Sequence, residues 1–190
     1  DVRLGDTVII FKAGDIIPQV ESVVTELRPK NAQKFDYEQA LADQYPELEF
    51  ERQGKDVVYR VKGTSGDLIL KRSVEYYASK GALDIDTLGE KNVVALVDAG
   101  LVRDVADIYT LTVDDLLKLD RFADISANKL IDAIQAKKNP PLEKFILALG
   151  IRHVGAQTAI DLANKFHSIK ALQDTTIEEL EQVDGVGKVV

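Results

Sequence analysis

Val183-Asp184-Gly185-Val186-Gly187-Lys188-Val189-Val190 is the stretch that decides the fold. Apolar, Gly, apolar, Gly, Lys and two apolar residues describe a tight turn that runs into the start of a new helix, whose first amides lack an intrahelical acceptor and can hold an anion. On this reading nothing larger than Gly fits well at the turn. About 32 residues earlier stands Val154-Gly155-Ala156-Gln157-Thr158-Ala159, and about 66 residues before that stands Leu88-Gly89-Glu90-Lys91-Asn92-Val93. The gap between them holds a further copy, Leu119-Asp120-Arg121-Phe122-Ala123 leading into Ser126-Ala127-Asn128-Lys129-Leu130, with Ala123 where the period puts the last Gly.

A helix pair joined by a Gly turn and repeated at this interval resembles the helix-hairpin-helix family of non-specific DNA binders. The resemblance implies that turn amides contact phosphates, so that a duplex is held through its backbone and not read by sequence. The candidate contacts in this half are Gly89, Lys91, Arg152, Gly155, Gly187 and Lys188. A helical repeat whose Gly residues merely cap helices, or which binds another protein, uses the same turns; four copies in register favour DNA.

The helical pattern around these turns is regular. A helix starts near Glu90 and ends before Gly100; another starts at Thr112, with Asp115 at capping-box spacing, and runs to Leu119. Residues 126–137 carry Leu130, Ile131 and Ile134 inward, and Pro140-Pro141 opens a helix over 142–149. Thr175 with Glu178, or Thr176 with Glu179, caps the helix before the final turn.

Upstream the pattern changes to strands. Val8-Ile9-Ile10-Phe11, a turn at Lys12-Ala13-Gly14-Asp15 and an apolar run from Ile16 to Val24 predict a β-hairpin, with Pro18 at a strand start or edge. Residues 37–45 predict a short helix ended by Pro46, and residues 49–52 and 57–61 a second hairpin around Gln53-Gly54-Lys55-Asp56. After Gly63-Thr64-Ser65-Gly66 a helix carries Leu70, Val74 and Tyr77 on one face. The fold class expected is therefore α+β, with a β-hairpin over 1–28, a small αβ module over 29–79, and over 80–190 the all-α domain that the helix-hairpin-helix resemblance implies.

Gly5-Asp6-Thr7-Val8-Ile9-Ile10 followed by Lys12-Ala13-Gly14-Asp15-Ile16-Ile17-Pro18 is similar to the oligonucleotide-binding barrel of bacterial NAD-dependent DNA ligases, whose signature is a basic residue followed by Ala-Gly-Asp-Val-Ile-Pro. Ser79-Lys80-Gly81-Ala82-Leu83-Asp84-Ile85 and the stretch from Leu147 to Gly155 resemble the same family. The resemblance implies that Lys12, Ile16 and Ile17 meet the duplex near the nick, although plain strand core is the alternative for the two Ile residues. Lys12 stands where the family usually has Arg, which keeps the charge and loses the planar fork. The family places a four-cysteine zinc module between barrel and repeats. Here the ligand places fall on Ala42, Tyr45, Val61 and Gly66, so the expectation is no zinc and an apolar core of Leu41, Tyr45, Leu48, Phe50, Val58 and Val61.

In the enzymes of that family NAD+ adenylates a Lys of a separate domain, and Mg2+ assists as the nick is sealed. The Lys-x-Asp-Gly signature of that Lys is absent, so no catalytic residue is assigned, and both NAD+ and Mg2+ belong to a parent enzyme whose sites lie elsewhere. The resemblance implies nicked double-stranded DNA as partner and a monomeric parent enzyme. A helix-hairpin-helix module of another repair protein is the alternative. With no Met, and with its last residues opening a helix, the chain is expected to be an internal piece of a longer protein.

Composition bounds these readings. The 190 residues are 45% hydrophobic and 29% charged, ordinary for a globular protein. No apolar run is long enough to cross a bilayer and no signal-like segment opens the chain, so no membrane partner and a cytoplasmic setting are expected, and the ligase resemblance implies a bacterial one. The absence of Cys excludes disulfides and thiolate metal sites. A net charge of −8 speaks against gripping DNA by a broad positive field. The excess lies in the repeats, where residues 81–190 hold 12 basic against 18 acidic side chains. Backbone amides need few cations, so weak, salt-sensitive binding is expected. Acidic runs such as Asp114-Asp115 suit helix N-terminal turns better than a Mg2+ site, and His153, with no acid partner or second His at metal spacing, suits solvent or phosphate better than catalysis.

Overall fold

A computed structural model describes residues 1–14, 16–52, 57–63 and 66–190. The chain divides into two compact units, Asp1–Gly63 and Thr64–Val190.

In the first unit, β1 (Val8–Ala13) and β2 (Ile17–Val23) form an antiparallel hairpin in which Lys12 faces Pro18, Ile10 faces Val20 and Val8 faces Val23. The register shifts between Ile9 and Ile10. In a two-stranded hairpin each strand is an edge, so the missing N–H of Pro18 costs no ladder bond to a further strand. A 3-10 turn at Thr25–Leu27 follows. The hairpin is fastened at its base by Asp6, whose side chain is only 1% exposed. Its carboxylate accepts from Arg28 Nε at 2.8 Å, Arg28 Nη2 at 2.8 Å and the Arg3 amide at 2.7 Å. The bidentate Arg28 fork, together with the Arg3 amide, holds the Asp6 carboxyl below its ordinary value of 3.8.

A depressed carboxyl pKa stabilises the fold above the unfolded value and stops doing so as pH falls through the folded value. Hydrogen exchange of the β1 and β2 amides, corrected for intrinsic rate, is therefore expected to accelerate as pH drops from about 5 to about 2. Asp6→Asn removes most of that acid dependence while weakening the hairpin at neutral pH; an unchanged acid response in the variant assigns it to other groups.

The remainder of the first unit is a helix and a minimal ladder. Asp36 caps α1 (Tyr37–Gln44) by accepting from the Gln39 amide at 3.0 Å, and β3 (Phe50–Glu51) pairs antiparallel with β4 (Arg60–Val61). The turn expected at Gln53-Gly54-Lys55-Asp56 lies outside the described residues. The expected apolar core needs correction. Leu48 is buried, but Leu41, Tyr45, Phe50 and Val61 are only partly covered and Val58 is 51% exposed. Two two-residue strands and one short helix present too little surface to enclose six apolar side chains. Ring pairs take their place, with Tyr45 6.2 Å from Phe50 and Tyr37 5.2 Å from Tyr59.

The second unit is helical. It contains α2 (Asp67–Ala78), α3 (Glu90–Asp98), a 3-10 segment (Val105–Thr110), α4 (Val113–Leu116), α5 (Asp124–Ala136), α6 (Leu142–Ala148), α7 (Ala156–Phe166), α8 (Ile169–Asp174) and α9 (Ile177–Leu180). Two cores hold it together. The larger includes Val74, Tyr77, Leu88, Leu96, Ile108, Leu116, Leu130 and Ile134; the smaller is Ile146, Val154, Ala159, Leu162, Val183 and Val186. Helix α2, grouped by sequence with the small module, contributes Val74, Tyr77 and Ala78 to the larger of these cores. Helix α6 serves both, with Phe145 and Ala148 on one and Ile146 and Leu147 on the other.

Caps expected from the sequence are formed. Thr112 and Asp115 make a reciprocal box at α4. At α9 the box is Thr176 with Glu179, which settles the two options, and Thr175 Oγ1 adds a 2.8 Å bond to the same carboxylate. The Asp115 carboxyl, bonded to the Thr112 hydroxyl and then to Lys118, falls to about 2.

Candidate nucleic-acid interface

Each of the four hairpins sets an apolar residue and then a small one at its tip: Leu88-Gly89, Phe122-Ala123 and Val154-Gly155 place the second residue as the N-cap of α3, α5 and α7, and Val186-Gly187 leads into a turn at the end of the chain. The apolar residue closes a short turn by donating its amide to the carbonyl three residues back, to Ile85, Leu119, Ile151 and Val183 in turn. Leu88, Val154 and Val186 are buried and Phe122 packs against the larger core, so the tips are pinned from beneath. The residue after the apolar anchor is extended, at φ −94° for Gly89, −117° for Ala123 and −91° for Gly155.

That conformation corrects the expectation that only Gly fits. A side chain at Gly89, Gly155 or Gly187 meets no atom within 4 Å, and any residue adopts these angles. The left-handed position lies two residues earlier: Thr87 at φ 66°, His153 at φ 67° and Gly185 at φ 76°. Two of these three are not Gly, which is why a search for Gly pairs misses the correspondence; aligning the tips on their apolar anchors finds it. Arg121, the matching residue of the second copy, is not left-handed.

The helix starts differ in what their amides meet. The 3-10 segment and α1, α4, α8 and α9 begin with a side-chain oxygen accepting from the first turn, supplied by Asp104, Asp36, Thr112, Ser168 and Thr176. By contrast, α3 and α7 begin at Gly with no side-chain cap, leaving the amides of Glu90, Lys91, Ala156 and Gln157 without an acceptor among the described residues. Gly187 opens the same way, its carbonyl accepting from Val190 at 2.9 Å. In the second copy Ser126 Oγ accepts from the Ala123 amide and donates to its carbonyl, both at 2.9 Å, so that tip is partly closed by its own chain.

Charge sorts the tips further. Arg152 and His153 flank the third and Lys188 the fourth, all exposed, and α7 has no acidic residue in its first turn. At the first tip Lys91 is exposed, but Glu90 stands beside it. Asp120 and Asp124 bracket the second.

The family comparison agrees with the division of the cores. Residues 80–136 match the SAM-like helix-hairpin-helix tandem, and residues 144–190 match the helix-hairpin-helix motif. The helical unit carries two helix-hairpin-helix domains. The first domain holds tips one and two over the larger core, and the second holds tips three and four over the smaller. Motifs of this kind suggest non-specific DNA binding.

In the first unit Lys12, Ile16 and Ile17 all lie at the surface, the two Ile residues 84% and 66% exposed, so neither packs in a strand core of this chain. Lys12 shares a cross-strand pair with Pro18 while Ile17 pairs with Ala13, and adjacent pairs point to opposite faces. The hairpin therefore does not bring Lys12 and Ile17 to one face. The places of the zinc ligands do not fit a metal. Ala42 is an exposed helical methyl, Tyr45 stacks near Phe50, Val61 pairs with Phe50, and Gly66 is the N-cap of α2. Elemental analysis of the purified protein is expected to find no stoichiometric zinc, and one zinc per chain that survives chelation overturns the metal-free reading.

Proposed function

We propose that this chain is the duplex-binding part of an NAD-dependent DNA ligase, holding nicked double-stranded DNA through its phosphates and leaving bond formation to a nucleotidyltransferase domain. The carrying observation is the contrast in capping. The starts of α3 and α7 and the turn at Gly187 offer bare amides at hairpin tips, where α1, α4, α8 and α9 carry their own side-chain acceptor; α2 and α6 also start without one, but at no hairpin tip. A phosphate oxygen satisfies such amides and gains from the helix dipole.

The ligase assignment rests on the signature from Lys12 to Pro18 and on the stretch from Gly150 to Gly155. A helix-hairpin-helix module of another repair protein accounts for the repeats and leaves the first of these unexplained. NAD+ and Mg2+ serve the parent enzyme in this reading, and no residue described above holds either. Among the described residues no helix is long and apolar enough to cross a membrane.

The test is fluorescence polarisation with a labelled duplex carrying a nick, titrated at several salt concentrations. Binding is expected at low salt, indifferent to sequence, and falling as salt rises; a logarithmic slope near −3 corresponds to roughly three neutralised phosphates. Because the net charge is −8, binding at physiological salt is expected to be weak. No affinity at any salt concentration selects the protein-binding repeat instead.

A further inference from the structure

The first tip is crowded with acid. Glu75, Asp84, Asp86 and Glu90 line the concavity that also contains Lys80, Thr87, Leu88 and Gly89; Glu75 is paired with Arg72 at 2.7 Å and Lys91 follows Glu90, which leaves Asp84 and Asp86 as the acid at the mouth. Left as it stands, that surface repels the phosphate its bare amides are shaped to receive. The neighbouring copy supplies an answer. From α5, Lys129 Nζ reaches Asp86 Oδ2 at 2.9 Å, and from the C-cap of the same helix Lys137 Nζ reaches Asp84 Oδ2 at 3.9 Å.

We propose that Lys129 and Lys137 are positioning residues for the phosphate site of the first hairpin, acting by neutralising the two carboxylates at its mouth rather than by touching DNA. The proposal rests on the duplex-binding function above. It gives the second copy a task that suits its form: its own tip is partly closed by Ser126 and flanked by Asp120 and Asp124, while the helix behind that tip carries two cations to its neighbour. The receiving loop is held in an unusual shape, with Asp84 at φ 53° and Thr87 at φ 66°, and Asp86 Oδ1 accepts from the Thr87 amide at 2.9 Å. Asp86 thus orients the left-handed residue with one oxygen and meets Lys129 with the other. The hydrogen bond from Lys129 is the main cause of the lowered pKa of Asp86. The base of α5 is fixed as well, since Tyr109 Oη donates to the Lys137 carbonyl at 3.4 Å.

The test is duplex affinity at fixed low salt for Lys129→Gln, Asp86→Asn and the double variant in the whole chain, with thermal melts of each. Asp86→Asn keeps an oxygen for the Thr87 amide and removes the charge. Lys129→Gln is expected to weaken binding by roughly threefold to tenfold. Asp86→Asn is expected to bind at least as tightly as the unaltered chain, and the double variant to recover its affinity. A loss that persists in the double variant makes Lys129 a direct DNA contact and overturns the proposal, as does an affinity unmoved by Lys129→Gln. A loss matched by a lowered melting temperature, in both the single and the double variant, makes the pair merely structural and overturns it too. Gly155→Val in the same series reports on the binding function independently: a chain that responds to Gly155→Val and ignores Lys129→Gln keeps the function and loses this inference.

Discussion

Gly155→Val is expected to weaken duplex binding by about ten- to a hundredfold while leaving the fold intact. The backbone at Gly155 is extended at φ −91° and a side chain there meets no protein atom within 4 Å, so Val costs little stability. Val adds a branched side chain beside the bare amides of Ala156 and Gln157, on the surface proposed to meet phosphate. Losing a charge-assisted amide–phosphate bond costs roughly 1.5–3 kcal/mol, which sets the size of the effect. Gly187→Val is expected to behave alike, because the fourth tip has the same open space and Lys188 beside it. Ala123→Val is the control. Its amide is held by Ser126 and acidic residues stand on both sides, so little affinity is expected to be lost there. Equal losses at Ala123 and Gly155, with circular dichroism showing all variants folded, overturn this division of roles. The first tip ranks between these extremes, with bare amides and Lys91 but with Glu90 in its first turn.

The largest expected effect on stability comes from Leu96→Ala. Leu96 is fully buried on α3 amid the larger core, and its carbonyl accepts from the amides of both Leu101 and Val102 as the chain leaves the helix. Truncating such a side chain removes its burial and leaves a cavity, at a cost of about 2–5 kcal/mol. Ile125→Ala, at a position 87% exposed in the first turn of α5, is expected to change stability by no more than about 0.5 kcal/mol. Urea denaturation followed by far-ultraviolet circular dichroism compares the two. A cost at Leu96 no greater than at Ile125 contradicts the packing described.

The amino-acid sequence determined most helix starts in the helical half, although α4 ends at Leu116 and not at the expected Leu119, and the 3-10 segment and α8 lay outside the expectations. Helix boundaries there depend on local signals, namely capping residues, Pro141 ahead of α6 and Gly100 in the left-handed region after α3, and these act over a few residues. The hairpin period was visible for the same reason, since each tip is one contiguous stretch. The strands of both small hairpins were legible from apolar stretches on either side of a polar turn, although β1 extends through Lys12 and Ala13, expected in the turn, and the second ladder is only two residues long on each side.

What the tertiary structure decided is which residues share a surface. That the left-handed role passes from Gly185 to Thr87 and His153 follows from anchoring each tip on a buried apolar residue, which fixes the backbone whatever the side chain. Val58 faces solvent because enclosure depends on the total surface that neighbouring elements bring, and no local pattern measures that. Lys129 meets Asp86 across forty-three residues of sequence, a pairing that exists because α5 packs beside the first tip. Local preferences set the turns, the helices and the charges beside each tip; the pairing of Asp86 and Asp84 with Lys129 and Lys137 was set by packing, which acts between residues that the sequence keeps apart.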